Sequence, residues 1–510
     1  MQNSEQKPNF IKMEHDILHF WKENDCFNKL VYKNKNNMPF RFLDGPITAN
    51  NPMGIHHAWG RSIKDIFLRY KAMNGFSCLY RNGFDTQGLW VEVEVEKELG
   101  FRDKKDIENY GTDKFTRKCL ERIHRFSSII TEQSKRLGQW MDWENSYFTH
   151  TDENITAIWH FLKVCHENNW ITKSHKPMPW CPRCGTSLSE HEMSGSYKEV
   201  EHTAVFARLP LIEENYDILV WTTTPWTLSA NTALAVNPGI EYALVDCGTN
   251  QRPVITAANT VKTLFGKNNV IRLFKGSELI GLQYETFFPF LSVQKDVDHK
   301  IIPWNDVSAD EGCGIVHIAP GCGTEDFELG KTFNLPEICP VNESGMFYDN
   351  YDFLSGLEAS KAAYVVFDKL SEQGKLYKTH KYKHSYPVCW RCKTDVLFRL
   401  VNEWYIKTDE IKPKLIDAAQ KVKWEPEYIG KRMSDWLENM GDWNISRKRF
   451  YGLPLPFYPC KNCGQLTVIG SKDELRELGG SESMVCQNFT APGLIQLRLT
   501  VPHVKARFHE

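Results

Sequence analysis

Six of the fifteen cysteines fall in three Cys-x-x-Cys pairs: Cys181/Cys184, Cys389/Cys392 and Cys460/Cys463. Thiolates at that spacing sit on hairpin knuckles, and two knuckles complete a tetrahedral zinc site with bonds of about 2.3 Å. A thioredoxin-like redox pair would need a strand–helix context that does not follow them. A second cluster, Gly54-Ile55-His56-His57, opens an amphipathic stretch. Imidazoles beside a helix start suit a phosphate, because ring N–H and free backbone N–H groups point at the same place. Asp85 ends an apolar run, where it can pair a charged amine or cap a helix over 89–99. Thr222-Thr223-Thr224 is a hydroxyl cluster that is also ordinary strand sequence.

These groups need elements to hold them. Residues 39–43 read as a first strand, and Ile63, Ile66, Phe67, Tyr70 and Met73 recur at helical spacings of three and four. Gly75 stops that helix, and 76–80 is the next strand. Strand, helix, strand predicts a parallel pair with a nucleotide site at its carboxyl edge. A short helix is expected over 14–22, and helical patterning runs from Lys105 to about Trp170. After Cys184 short strands take over, at 205–209, 218–223 and 315–319, separated by Gly, Pro and Asn turns. Trp-rich basic text returns near Tyr386 and continues to about Glu477. Lys431, Arg432, Arg447, Lys448 and Arg449 read equally as a phosphate-facing patch and as a solvated surface.

At 510 residues the chain calls for two to four domains. With 41% hydrophobic and 25% charged residues the composition is globular. A net charge of -2 excludes a wholesale polycation, so any nucleic acid would bind a patch or groove. No apolar run approaches a membrane span, and the N-terminus lacks the order of a secretory signal. Unpaired cysteine usage in a chain this large predicts a reducing, cytoplasmic setting.

The text from Phe42 to Gly100 resembles the first half of the catalytic domain of class I aminoacyl-tRNA synthetases, most closely the isoleucyl branch. GPITANN, HAWGRSIKD and NGFDTQGLWVEVEVEKELG carry the likeness. The family's His-x-Gly-His stands here with its first and third residues exchanged. The resemblance implies an α/β, Rossmann-like catalytic domain (1–185) with a large inserted β-barrel-like editing domain (186–385) and four-cysteine zinc knuckles. A return to the catalytic domain (386–477) and a divergent tail (478–510) follow. It implies ATP binding by Gly45, Gly54, His56 and His57, with the two histidines stabilising charge on the phosphates and Mg2+ as a companion ion. The exchanged order predicts a shifted loop in which His56 still reaches phosphate. Pro46, Asp85 and Gln87 would line the isoleucine site, Asp85 holding the ammonium.

One methylene is worth roughly 1–3 kcal/mol in an apolar pocket, a limit whose standard case is isoleucine against valine in this very family. A second, hydrolytic site is therefore motivated. The segments VWTTTPWTLSANTALAVNP and GCGIVHIAPGCGTEDFELG resemble it. They imply Thr222, Thr223 and Thr224 as water- and ribose-orienting hydroxyls, His317 as the pocket histidine and Asp326 as the amine holder. Cys181, Cys184, Cys389 and Cys392 would hold Zn2+, and Cys460 with Cys463 would begin a second site for which only Cys486 remains downstream.

The expected partners are ATP, isoleucine and its tRNA, with no membrane and a monomeric state. The resemblance fades near Leu478, and no Lys-Met-Ser-Lys-Ser loop is found, which predicts a truncated or frame-shifted form. Three functions follow as expectations: isoleucine–tRNA ligation, hydrolysis of mischarged tRNA alone, or non-catalytic tRNA binding.

Overall fold

The computed structural model describes residues 8–42, 45–248, 251–266, 269–460 and 462–483. The chain divides into two compact units, Met1–Asn169 with Arg449–Glu510, and Trp170–Lys448.

In the first unit, α1 (Phe10–Glu23) and α2 (Cys26–Asn34) precede β1 (Pro39–Phe40) and β2 (Ile47–Thr48). Helix α3 (Ile55–Met73) then crosses to β3 (Ser77–Cys78) and β4 (Arg81–Asp85). β1 pairs parallel with β3, and β2 parallel with β4, in the register Thr48↔Asp85. The parallel strand–helix–strand unit is thus as the periodicity predicts. Beyond it, α4 (Leu89–Leu99), α5 (Lys104–Tyr110) and α6 (Thr112–Arg136) lead to β5 (Asp142–Phe148), which pairs parallel with β4. Phe115, Cys119, Ile123 and Ile130 recur on one face of α6 and form a core with Phe84, Val91 and Val95.

The apolar stripe Ile63, Ile66, Phe67, Tyr70 and Met73 is exposed, and α3 packs instead through Leu68 and Ala72, with Asp65 buried on the same side. Asp65 accepts from Arg69 and from the Trp140 backbone N–H at 3.0 Å, and the guanidinium lies 4.2 Å from the Trp140 ring centroid. A buried carboxylate is tolerated there because it is ion-paired and hydrogen-bonded. Periodicity alone had hidden this polar anchor.

The chain returns to the first unit at Arg449. Tyr451 is buried in the α4/α6 core, and its backbone N–H donates to the Glu92 carboxylate at 2.6 Å. Glu92 and Glu96, both fully buried, share an ion pair with Lys104 at 2.5 and 2.7 Å. A hairpin of Phe457–Pro459 and Leu466–Val468 and a helix over Lys472–Ser483 follow. The tail expected from 478 therefore begins inside a helix, and 484–510 lies outside the described residues.

The second unit opens with β6 (Ile171–Cys181) and β7 (Thr186–Ser187), then β8 (Tyr197–Pro210) and β9 (Asp217–Thr222). β10 (Ala233–Val236), β11 (Glu241–Val245), β12 (Val254–Ala257) and β13 (Val270–Lys275) follow. β14 (Lys300–Pro303), β15 (Val316–Ile318) and β16 (Leu376–Pro387) complete a nine-stranded mixed sheet. It branches at β9, which contacts β8, β12 and β15. β10 and β12 are buried along their whole length, as strands covered on both faces must be. β17 (Leu397–Ile406) pairs antiparallel with β6 over ten residues and carries β18 (Trp443–Asn444) at its end. Because of that long pairing, compactness places 170–185 and 386–448 with the insert, whereas the sequence puts the boundaries near 185 and 385.

Candidate functional site

Three polar centres emerge. In the first unit, Asp85 closes β4 at the carboxyl edge of the parallel strands, next to Thr48 at the end of β2. Thr48 Oγ1 donates to the Asp85 carboxylate at 3.2 Å. Burial raises the Asp85 pKa, opposed by hydrogen bonds from the Gln87 backbone and Thr48 and by the positive charge of Arg449. The helix cap considered for Asp85 is not made: the N-cap of α4 is Gly88, whose φ of +100° and close approach to Arg449 favour glycine. Gln87 is half-buried, and its side-chain Nε2 is buried without a partner among the described residues. Pro46 is half-buried and Gly45 is exposed, at the entry to β2. A desolvated carboxylate can pair an ammonium group, while the unsatisfied Gln87 Nε2, a donor, suits an acceptor oxygen instead.

Gly54 is the N-cap of α3, and His56 and His57 stand in its exposed first turn. The Gly54 N–H donates to His57 Nδ1 at 3.2 Å, which leaves Nε2 to carry that ring's proton. Desolvation lowers the His57 pKa, followed by the charges of His56, Arg61 and Lys64. The two rings lie 3.9 Å apart between centroids. A Cβ on Gly54 would sit 2.8 Å from His56 Cε1. The exposed His56 ring would turn aside to admit a larger residue at 54.

In the second unit a hydroxyl chain leads to an imidazole. Thr222 Oγ1 lies 3.2 Å from Thr224 Oγ1, which lies 3.3 Å from Thr227 Oγ1, which lies 2.8 Å from His317 Nε2. The register Val316↔Trp221 brings the ends of β9 and β15 together, and a 3-10 turn over Pro225–Ala230 supplies Thr227. His317 is buried, with Nδ1 unpartnered among the described residues, and burial lowers its pKa to about 4. The ring is therefore neutral at physiological pH, and because Thr227 Oγ1 already donates to the Thr224 carbonyl at 2.8 Å, Nε2–H is placed to donate to Thr227 Oγ1. Asp326, in the first turn of the helix Thr324–Phe333, accepts the Ala319 N–H at 2.8 Å. Burial raises its pKa to about 7. Thr223 is half-buried beside the chain, and no bond of its hydroxyl joins it to the others. Thr227 is the residue that sequence reasoning missed; its spacing of three from Thr224 was the available signal.

The third centre joins Cys181, Cys184, Cys389 and Cys392, whose sulfurs all lie within 4.8 Å of one another. Cys181 and Cys392 approach to 3.4 Å. Each pair sits on a tight turn, closed by Gly185 N–H to Cys181 O and Lys393 N–H to Cys389 O, both 2.8 Å. Thiol hydrogen bonds from Cys181 and Cys184 pull Cys389 below the ordinary thiol range. Four convergent soft donors fit a tetrahedral metal such as zinc, whose S–S edge is about 3.8 Å for 2.3 Å bonds. Cys460 and Cys463 form a similar turn, Gly464 N–H to Cys460 O at 2.9 Å, but are exposed and meet no third ligand among the described residues. Cys486 lies outside them.

No helix among the described residues is long and apolar enough to cross a membrane. Residues 16–490 match the family model described as tRNA synthetases class I (I, L, M and V). An isoleucine–tRNA ligase of Clostridium acetobutylicum is 39% identical over 472 residues, covering 92% of this chain and 45% of the relative. One from Methanocaldococcus jannaschii is 38% identical over 490 residues, covering 92% and 47%. The chain thus spans about half the length of the curated relatives it matches. A solved ternary complex of an Agrobacterium radiobacter LeuRS with tRNA and LeuAMS aligns over 90% of this chain and 52% of that one, at 15% identity and a TM-score of 0.36. With a family match over most of its length, the chain belongs to the class I tRNA synthetases of the I, L, M and V group.

Proposed function

We propose that this chain serves isoleucine–tRNA ligation, supplying the ATP- and isoleucine-binding edge and the site that hydrolyses valine from mischarged tRNA. Asp85 carries the reading: a desolvated carboxylate at a parallel strand end, with two imidazoles at the start of the neighbouring helix. In this reading Asp85 pairs the substrate ammonium, Gln87 and Pro46 border its side chain, and His56 and His57 meet the phosphates. The substrate carboxylate attacks the α-phosphate, pyrophosphate leaves, and the imidazole and helix N–H groups offset the growing charge. Mg2+ accompanies ATP, and tRNA accepts the activated residue.

In the second unit Thr222, Thr224 and Thr227 orient water and ribose, neutral His317 donates to Thr227 and so fixes its hydroxyl, and ionised Asp326 holds the misattached amine. Zn2+ on the four cysteines clamps the base of that unit and takes no part in either reaction. The narrower reading, hydrolysis alone, is favoured by the confinement of Thr222, Thr227, His317 and Asp326 to one compact unit.

The test is a chimera in which residues 1–477 replace the matching segment of the Clostridium acetobutylicum ligase. Isoleucine should drive pyrophosphate exchange, and Asp85→Asn should reduce it by roughly 10²-fold or more. Exchange driven instead by leucine, valine or methionine would overturn the assignment.

A further inference from the structure

β4 closes on Asp85, and its parallel neighbour β5 closes on Phe148, so Thr86 leaves one strand end beside Thr149 and His150 leaving the other. Four contacts tie the two exits together. The Thr86 N–H donates to Thr149 Oγ1 at 2.9 Å, and the His150 N–H donates to Thr86 Oγ1 at 3.1 Å. Between side chains, Thr86 Oγ1 lies 3.1 Å from Thr149 Oγ1 and 2.8 Å from His150 Nδ1. Thr86 is fully buried, and these partners satisfy its hydroxyl. Thr149 also hydrogen-bonds the Asp85 carboxylate.

The supply of hydrogens fixes the direction of this chain. An ionised carboxylate only accepts, so the single hydroxyl hydrogen of Thr149 goes to Asp85. The hydrogen between the two Oγ1 atoms must then come from Thr86. Thr86 has none left for His150, so the 2.8 Å contact is made by His150 Nδ1–H. Each hydroxyl then donates once and accepts twice, which is its full capacity. Burial holds the His150 ring neutral, its pKa lowered to about 4, with the charge of His124 a smaller cause. The neutral ring therefore keeps its one proton on Nδ1 and leaves Nε2 bare. Donors aligned head to tail toward a carboxylate reinforce one another and favour its charged form.

We infer that His150 is a positioning residue for the amino-acid site, acting through the Thr86 and Thr149 hydroxyls to hold the Asp85 carboxylate toward the substrate ammonium. The identity of that ammonium rests on the ligase reading, whereas the hydrogen-bond chain does not. Asp85 is also faced by Arg449 from the returning segment, by the Tyr451 phenol and by the Thr48 hydroxyl. His150 is faced by His124 of α6, edge-on with ring centroids 6.1 Å apart.

The test titrates this chain by NMR without substrate, then assays the chimera. With imidazole nitrogens labelled and His150 assigned by its loss in His150→Phe, the ring should show a protonated Nδ1 and a bare Nε2 at about pH 7. With aspartate carboxyls labelled and Asp85 assigned through Asp85→Asn, His150→Phe and Thr149→Val should each raise the Asp85 midpoint by roughly 0.5 in pH or more, because donors to the charged form are lost. His150→Asn, which returns an amide N–H near the place of Nδ1, and Thr149→Ser, which keeps the hydroxyl, should bring the midpoint back. In the chimera His150→Phe should raise the KM for isoleucine by roughly tenfold with kcat little changed, since the ammonium is paired alike in ground and transition states. An Nε2–H tautomer, an Asp85 midpoint unmoved by His150→Phe, or an unchanged KM in an exchanging chimera would overturn the inference. Absence of exchange by the unaltered chimera would strike the ligase reading instead, and the titration would still decide the chain of hydroxyls.

Discussion

In the unit spanning Trp170–Lys448, His317 and Asp326 are enclosed by strands and a helix start that the same unit supplies, and burial moves their pKa values to about 4 and about 7. In the other unit His56 and His57 stand on an exposed helix turn, beside a sheet edge unpaired among the described residues. The first centre is held in place by its own surroundings. The second stands open to solvent. Low dielectric strengthens each interaction in the enclosed centre, so single groups should matter more there than at the open edge.

The largest effect expected concerns what holds the enclosed unit together. Cys181→Ser should lose one bound zinc per chain by elemental analysis and lower Tm by roughly 10 °C, because metal binding is folding free energy in such sites. A variant with unchanged zinc content and Tm would detach the clamp from the stability of this unit. Next in size, Thr227→Val removes the hydroxyl that links Thr224 to His317 while keeping the volume. Deacylation of valine-charged tRNA should fall by roughly 10²-fold in kcat, with KM little changed. An unaltered rate would show that the chain of hydroxyls is only packing.

Asp326 sharpens the contrast through pH. Its folded pKa, about 7, lies above the ordinary carboxylate value of 3.8. The folded state therefore binds the proton more tightly than the unfolded state, and the neutral form's stability is fully present below about pH 4 and lost as pH rises through about 7. Asp326→Asn should raise Tm relative to the unaltered protein at about pH 8, and the two should converge near pH 4. Deacylation should rise through about pH 7 as Asp326 ionises, and that limb should vanish in the variant. At the open edge effects should be smaller. Gly54→His turns the exposed His56 ring aside and should cost no more than about 0.5 kcal/mol in chemical denaturation, with or without His56→Gly. A larger loss, recovered when His56→Gly is added, would show the two positions to be fitted to each other.

The strand–helix–strand order around Asp85 was legible because Gly75 and the apolar runs punctuate it, and the paired cysteine knuckles because their spacing is itself the geometry. What α3 buries was not legible. Its strongest periodic stripe faces outward, while Asp65 and Arg69, polar in sequence, face in. Periodicity finds an apolar face but says nothing of what covers it. Thr227 escaped for a related reason: its spacing of three from Thr224 is a weak signal by itself, and only the β9/β15 register brings it to His317. Arg449 is distant from Gly88 in sequence, and the Glu92–Tyr451 hydrogen bond that returns it is invisible there.

Thr222, Thr227, His317 and Asp326 lie in one unit, and we expect that centre to work without the other. Its most direct test is deacylation of valine-charged isoleucine tRNA by this chain without any added polypeptide, beside its His317→Ala variant. The account predicts hydrolysis well above the spontaneous rate, lost in the variant and indifferent to Asp85→Asn. Spontaneous-rate hydrolysis by well-folded, zinc-loaded protein would contradict it.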